Sequence, residues 1–233
     1  MTEANSVWLN DPLFGLCATI LAYTAAQLLN KRWPWLHPLF VTSLLLIGLI
    51  LFGGVPYEAY RPGGEALTLL LGPATVALAV PLYKNAARIK RYALAICSGI
   101  TIGSLCGIVV SAGLVWMLGG PQNIMLSVLA KSVTAPVSIE LTKLFGGLPG
   151  LAAVMTVLTG LLGSMIGPAL LRLAGVREDI AIGSAVGTAA HGIGTSRVIR
   201  ESELQGGVSG FAMGLAAIIT SVLVLPLYWW LQL

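Results

Sequence analysis

Residues 92–118 read YALAICSGITIGSLCGIVVSAGLVWML, from Tyr92 to Leu118 without one charged side chain. As a helix this stretch rises about 40 Å, more than the roughly 30 Å of bilayer hydrocarbon. It has no polar face to turn toward water. Just upstream, Lys84, Arg88, Lys90 and Arg91 form a basic loop with no acid among them. Short loops rich in Lys and Arg stay on the cytoplasmic side. The rest of the chain repeats the pattern. Of 233 residues 57% are hydrophobic and 9% charged, and the mean hydropathy is +0.90. Soluble domains carry roughly a quarter charged residues, so a soluble fold is excluded. The expected fold class is an all-α polytopic membrane protein with about six to eight transmembrane segments.

Working outward, apolar runs cover Leu13–Leu29, Pro38–Gly53, Ala66–Tyr83, Leu151–Leu171 and Phe211–Trp230. Residues 30–34, with Lys31, Arg32 and Trp33, close the first run. Together with 84–91 they are expected in the cytoplasm, which leaves 54–65 and both termini outside. Met1–Asp11 carries no basic residue and does not look like a cleavable signal. One integral membrane domain, 1–233, is expected: N-terminal spans 1–63 for scaffold or dimerisation, then a core 64–233. The net charge of +4 is a topogenic bias, with no dense basic and aromatic patch for nucleic acid. Cys17, Cys97 and Cys106 lie in apolar runs as small packing residues, and no metal-ligand cluster or cofactor motif is present. A Ser164/His191 hydrolase lacks recognisable motif spacing, so no enzyme is expected.

Two segments, 122–146 and 178–203, mix apolar residues with polar and small ones. Each either crosses once as a broken helix, giving eight crossings, or re-enters as a hairpin, giving six. The hairpin choice brings Arg172, Arg177, Arg197 and Arg200 inside, and charge counting leans that way. In the first segment Lys131, Thr134, Ser138 and Thr142 fall on one helical stripe, and Pro136 must bend or break the helix. A half-helix starting at Pro136 would offer free amides, flanked by Ser132 and Thr134, to a carboxylate. Asn123 caps the segment or lines its cavity. Glu140 is either a coupling residue or the partner of Lys143 in an i,i+3 pair. In the second segment Ser184, Thr188, His191 and Thr195 share a face, and Gly183 and Gly187 allow close helix approach. Gly192 and Gly194 end or unwind the helix. His191 is either a substrate donor and proton carrier or a packed, satisfied imidazole. Arg197 is either a carboxylate partner or paired to Glu201. Gly72-Pro73 is a third candidate break. Gly103–Gly107 echoes Gly163–Gly167, a repeat signal of unknown sense.

The stretches KSVTAPVSIE (131–140), GLPGLAAV (147–154), GTAAHGIGTSR (187–197) and AMGL (212–215) resemble the LrgB/CidB membrane-protein family. That family includes the C-terminal half of the plastidic glycolate/glycerate translocator. Ala135 and Ala190 stand where the family pattern has Thr and Ser. The resemblance implies transport of glycolate, glycerate or pyruvate, a multi-pass protein of the cell inner membrane and a small LrgA/CidA-like membrane partner. It also carries a rival reading, a holin/antiholin-like pore or regulator of murein hydrolase export. With the residues above, the expected carrier is a homodimer. Its substrate-binding candidates are Asn123, Lys131, Ser132, Thr134, Pro136, Ser138, Thr188, His191, Gly192, Gly194, Thr195 and Arg197, and its coupling candidates are His191 and Glu140. Single-cysteine labelling tests the topology: a cysteine at position 57 should react with an impermeant reagent applied to intact cells, and one at position 86 only after lysis.

Overall fold

The computed structural model describes residues 11–33 and 36–232. The sequence readings on Met1–Asn10, Pro34 and Leu233 lie outside them. Helices account for all regular structure among the described residues: α1 (Pro12–Arg32), α2 (Pro38–Phe52), α3 (Tyr57–Leu69), α4 (Leu71–Ala77), α5 (Ala79–Lys84), α6 (Ala86–Arg91), α7 (Ala93–Met117), α8 (Gln122–Val128), α9 (Ala135–Leu144), α10 (Pro149–Leu173), α11 (Asp179–Val198) and α12 (Glu203–Gln232). Five stretches are long and apolar enough to cross a membrane, and α2 is a shorter apolar helix. The protein is a multi-pass membrane protein.

The chain divides into two units at Ala77–Leu78, not at the 63/64 point of the sequence reading. Packing explains the shift. Helix α3 lies on α1, whereas α5 lies on α12, so the apolar run 66–83 is shared between units. In the first unit, Pro12 opens α1 and the Asp11 side chain accepts the Leu13 N–H at 2.9 Å. A Cβ on Gly15 would lie 2.4 Å from the Tyr60 carbonyl oxygen, so two backbones touch there. The break expected at Gly72-Pro73 falls instead at Leu70, which ends α3. Pro73 sits in the first turn of α4, where a missing N–H leaves nothing unpaired.

In the second unit both polar segments fold back on themselves. Helix α8 runs inward, the chain turns through 129–134, and α9 returns. The Ser127 hydroxyl accepts the Leu148 N–H at 2.7 Å, which ties the inner end of α8 to the start of α10. Its core of Leu126, Leu129, Val133, Leu141 and Phe145 packs with Ile108 of α7 and Val224 of α12. Helix α11 is also a hairpin. Its one departure from helical backbone is His191, at φ 39° and ψ −137°. Limbs 179–190 and 192–198 lie side by side: a Cβ on Gly194 would lie 2.7 Å from the Val186 side chain, eight residues back in sequence. At the feet of this second hairpin Asp179 accepts the Ser202 hydroxyl and the Gln205 amide, both at 2.7 Å.

The hairpins enter from opposite ends. The second shares its end with Ile89, Ile96 and Val208 and with the Lys84–Glu203 pair at 2.9 Å. The first shares its end with the C-terminal part of α12, where Phe145 and Tyr228 stack at 4.7 Å between centroids. Crossing versus re-entry is therefore decided for re-entry at both segments. Eight basic residues, Lys84 through Arg91 and Arg172, Arg177, Arg197 and Arg200, gather at one end of the unit. The repeat is inverted: α7 with the first hairpin runs opposite to α10 with the second. Gly103 precedes Lys131 by 28 residues, the interval by which Gly163 precedes His191.

Broken backbone survives at membrane depth only where protein covers it, and glycines supply the cover. A Cβ on Gly187 would lie 2.2 Å from the Ser209 carbonyl oxygen, and one on Gly183 2.6 Å from that of Gln205. Gly187→Ala should cost about 1–3 kcal/mol through overpacking. Gly167→Ala, where a Cβ meets nothing within 4 Å, should be neutral or stabilising by up to about 1 kcal/mol. Thermal denaturation of the two purified variants reads the difference.

Candidate functional site

A cavity of about 930 Å³ lies between α7 and α11 and reaches the tip of the first hairpin. It brings Lys131 and Ser132 together with Thr159 of α10 and Ser184 and Thr188 of α11. Gly103 and Gly107, one turn apart on α7, make the approach possible. A Cβ on Gly103 would sit 3.3 Å from Thr188 Cγ2, and one on Gly107 3.6 Å from Ser132 Oγ. Lys131 Nζ donates to Ser132 Oγ at 3.2 Å. Among the described residues no carboxylate pairs with Lys131, although every other cation cluster of the unit stands at one end or the other. An intramembrane cation is costly, so this ammonium calls for an anion.

The hydroxyls around it have a defined polarity. Thr188 Oγ1 donates to the Ser184 carbonyl at 2.7 Å and Thr159 Oγ1 to the Met155 carbonyl at 2.7 Å. Their protons are committed, so they offer the cavity lone pairs. Lys131 supplies donors.

The other expected site residues stand elsewhere. His191 Nε2 donates to the Thr156 carbonyl at 3.0 Å, and its ring fills the space over Gly160, where a Cβ would lie 2.6 Å from Cε1. The ring is a buried tie between hairpin tip and α10 and does not line the cavity. Thr195 donates to the His191 carbonyl and shares a 2.8 Å bond with Ser209. Gly192 faces Met213, and Gly194 packs in the hairpin. Arg197 pairs with Glu201 at 3.1 Å, and Arg172 joins the same carboxylate. Asn123 lies in the first turn of α8, its carbonyl accepting Ser127 Oγ at 2.6 Å. Thr134 ends the turn without a side-chain cap, Pro136 is exposed, and Ser138 is buried with an unpartnered hydroxyl. Glu140 bonds Lys143 at 2.7 Å on the surface. Of the twelve substrate candidates, the cavity wall gathers Lys131, Ser132 and Thr188.

The sequence reading did not assign Thr159, Glu178 or Gly99 to the site, and it read Gly103 and Gly107 only as part of a repeat signal. The glycines carried a signal, a spacing of four along a long apolar helix. Thr159 and Glu178 carried none.

With this geometry in place, the comparisons place the chain. The profile of the LrgB-like family matches residues 19–230. The chain belongs to the LrgB-like family. It is 40% identical over 210 residues to the Bacillus subtilis protein YwbG, covering 89% of this chain and 93% of that one. A Haemophilus influenzae relative is 33% identical over 207 residues, 88% of this chain and 90% of that one. The "Antiholin-like protein LrgB" of Bacillus mycoides is 30% identical over 220 residues, 93% of this chain and 95% of that one. No solved structure matches.

At the foot of the second hairpin, the Gln205 amide and then the Ser202 hydroxyl hold the Asp179 carboxyl below its ordinary range. A carboxyl lowered by folding contributes stability above its unfolded value near 3.9, and that contribution disappears as pH falls through the folded value. Asp179→Asn should lower the melting temperature at pH 7 by a few degrees, and the gap to wild type should close as pH drops below about 4. A pH series of melting curves checks it.

Proposed function

We propose that this LrgB-family protein is a secondary transporter of small monocarboxylates in the plasma membrane, and not an enzyme. The observation that supports it is Lys131. This ammonium stands at the tip of a re-entrant hairpin, on a cavity wall, with a serine hydroxyl as its hydrogen-bond partner. A carboxylate supplies the missing counter-charge. Thr159 and Thr188, with their protons committed to backbone carbonyls, accept from a hydroxyl on the neighbouring carbon. This favours glycolate- and glycerate-like 2-hydroxy acids over the pyruvate-like 2-oxo acids that the resemblance also implies. Two opposed hairpins of inverted sense are a common carrier architecture, with the binding site where they meet. The proton-coupling role expected of His191 and Glu140 finds no support in their positions. A homodimer and a small LrgA/CidA-like partner remain part of the reading on the strength of the resemblance.

A second reading has its own support. Relatives at 30% identity carry the name "Antiholin-like protein LrgB", which favours a regulator or pore acting with a partner. The two differ in saturation. Proteoliposomes holding the purified protein should take up labelled glycolate saturably, with competition by glycerate. Lys131→Met removes charge-assisted bonds worth about 1.5–3 kcal/mol and should weaken apparent affinity by about ten- to a hundredfold. Flux of unrelated solutes without saturation, unchanged in Lys131→Met, would establish the pore instead.

A further inference from the structure

The cavity is far larger than a two- or three-carbon acid. Its volume of about 930 Å³ falls in the range of pockets that enclose drug-sized ligands. The polar groups are not spread evenly through it. Lys131, Ser132 and Thr188 stand at the hairpin tips, and Tyr92 and Glu178 mark the far end, at the first turns of α7 and α11. Between them the walls are Ala95, Ile96 and Gly99 on one side and Ile180, Ala181 and Ala185 on the other, with one polar group among them, the buried hydroxyl of Ser184. From Gly107 back to Tyr92 the groove follows α7 for about 22 Å at 1.5 Å per residue. Ile96 is buried while Ala95 and Gly99 stay exposed, and a Cβ on Gly99 would meet nothing within 4 Å. The middle of the groove is therefore open space bounded by hydrocarbon except at the Ser184 hydroxyl.

We propose that the ligand this site prefers is an amphiphilic 2-hydroxy monocarboxylate, with its carboxylate on Lys131 and Ser132, its hydroxyl on Thr159 and Thr188, and an apolar body of about five to eight carbons along the groove. The proposal rests on the carrier reading above and names the substrate class of the same site. A two-carbon acid uses the head contacts and leaves the walls without a partner. Each further methylene withdraws from water against Ala, Gly and Ile, and burial of apolar surface is favourable in proportion to its area. Glu178 at the far end repels a second anionic group, so a dicarboxylate long enough to reach it is disfavoured. Selectivity is thus set at two places: charge at the hairpin tip, and apolar length along α7 and α11.

The test is inhibition of initial glycolate uptake in proteoliposomes by straight-chain monocarboxylates of two to eight carbons, at pH 7.5. Apparent affinity should rise about two- to fourfold per methylene. The eight-carbon dicarboxylate suberate should inhibit at least tenfold less well than octanoate. Gly99→Leu places a side chain in the open part of the groove and should collapse the ratio of octanoate to propionate affinity toward one. Saturable, Lys131-dependent glycolate uptake with inhibition flat in chain length would overturn the proposal and leave the carrier reading standing. A chain-length effect that survives Gly99→Leu is bilayer perturbation and overturns it equally. Absence of any saturable, Lys131-dependent uptake removes the carrier reading itself, and the proposal with it.

Discussion

The backbone of the second hairpin has no water to turn to at mid-membrane depth, and the remaining architecture answers that constraint. A helix that stops at His191 strands amides and carbonyls, each of which costs several kcal/mol in hydrocarbon. The chain reverses there and lays both limbs on α12. Gly183 and Gly187 let the first limb approach the carbonyl oxygens of Gln205 and Ser209, and a side chain there would have to push the two backbones apart. The imidazole of His191 then closes the tip onto the Thr156 carbonyl. With the tip anchored on α10 and the limbs on α12, the remaining face of α11 is free to form the cavity wall opposite α7.

Much of this was legible in the amino acids. The uncharged stretch from Tyr92 to Leu118 and the basic cluster before it announce a membrane protein, because each depends on local composition alone. Pro136 and the Gly192/Gly194 pair point to broken helices, although in the second hairpin the backbone departs from helix at His191 and both glycines stay helical. What happens after a break is a different matter. Re-entry depends on Ser127 meeting Leu148 and on Asp179 meeting Ser202 and Gln205, pairs brought together by tertiary packing. His191 fails for the same reason: its partner is a carbonyl 35 residues away on α10. Arg197 was a sound candidate by residue type, yet Glu201 one turn on already holds it.

The inverted repeat gives the two tips unequal work. Lys131 and His191 occupy matching places, 28 residues after matching glycines. One turns a charge into the cavity, and the other fastens its hairpin to a neighbouring helix. The two opposed turns differ in side-chain chemistry: one carries the charge on the cavity wall, and the other is a fixed post. The wall glycines of α7 complete the division, since they leave room beside the charged tip.

The position of α12 after the second hairpin in the chain has a consequence for biosynthesis. The ribosome releases residues 179–198 before residues 203–232, so the second hairpin leaves the exit tunnel ahead of the surface that makes its reversal tolerable. Its Gly, Ser and Thr content gives it little reason to enter lipid alone. It must wait at the basic face of the membrane, the side on which the nascent chain emerges under the charge rule, until α12 has crossed and can receive it. The first hairpin faces the opposite order: α7 is already in place, but its foot has to be carried to the far face before it can dip back toward Gly107. Insertion by hydropathy alone thus delivers an open set of spans, because neither hairpin has covering protein until its neighbours are in place.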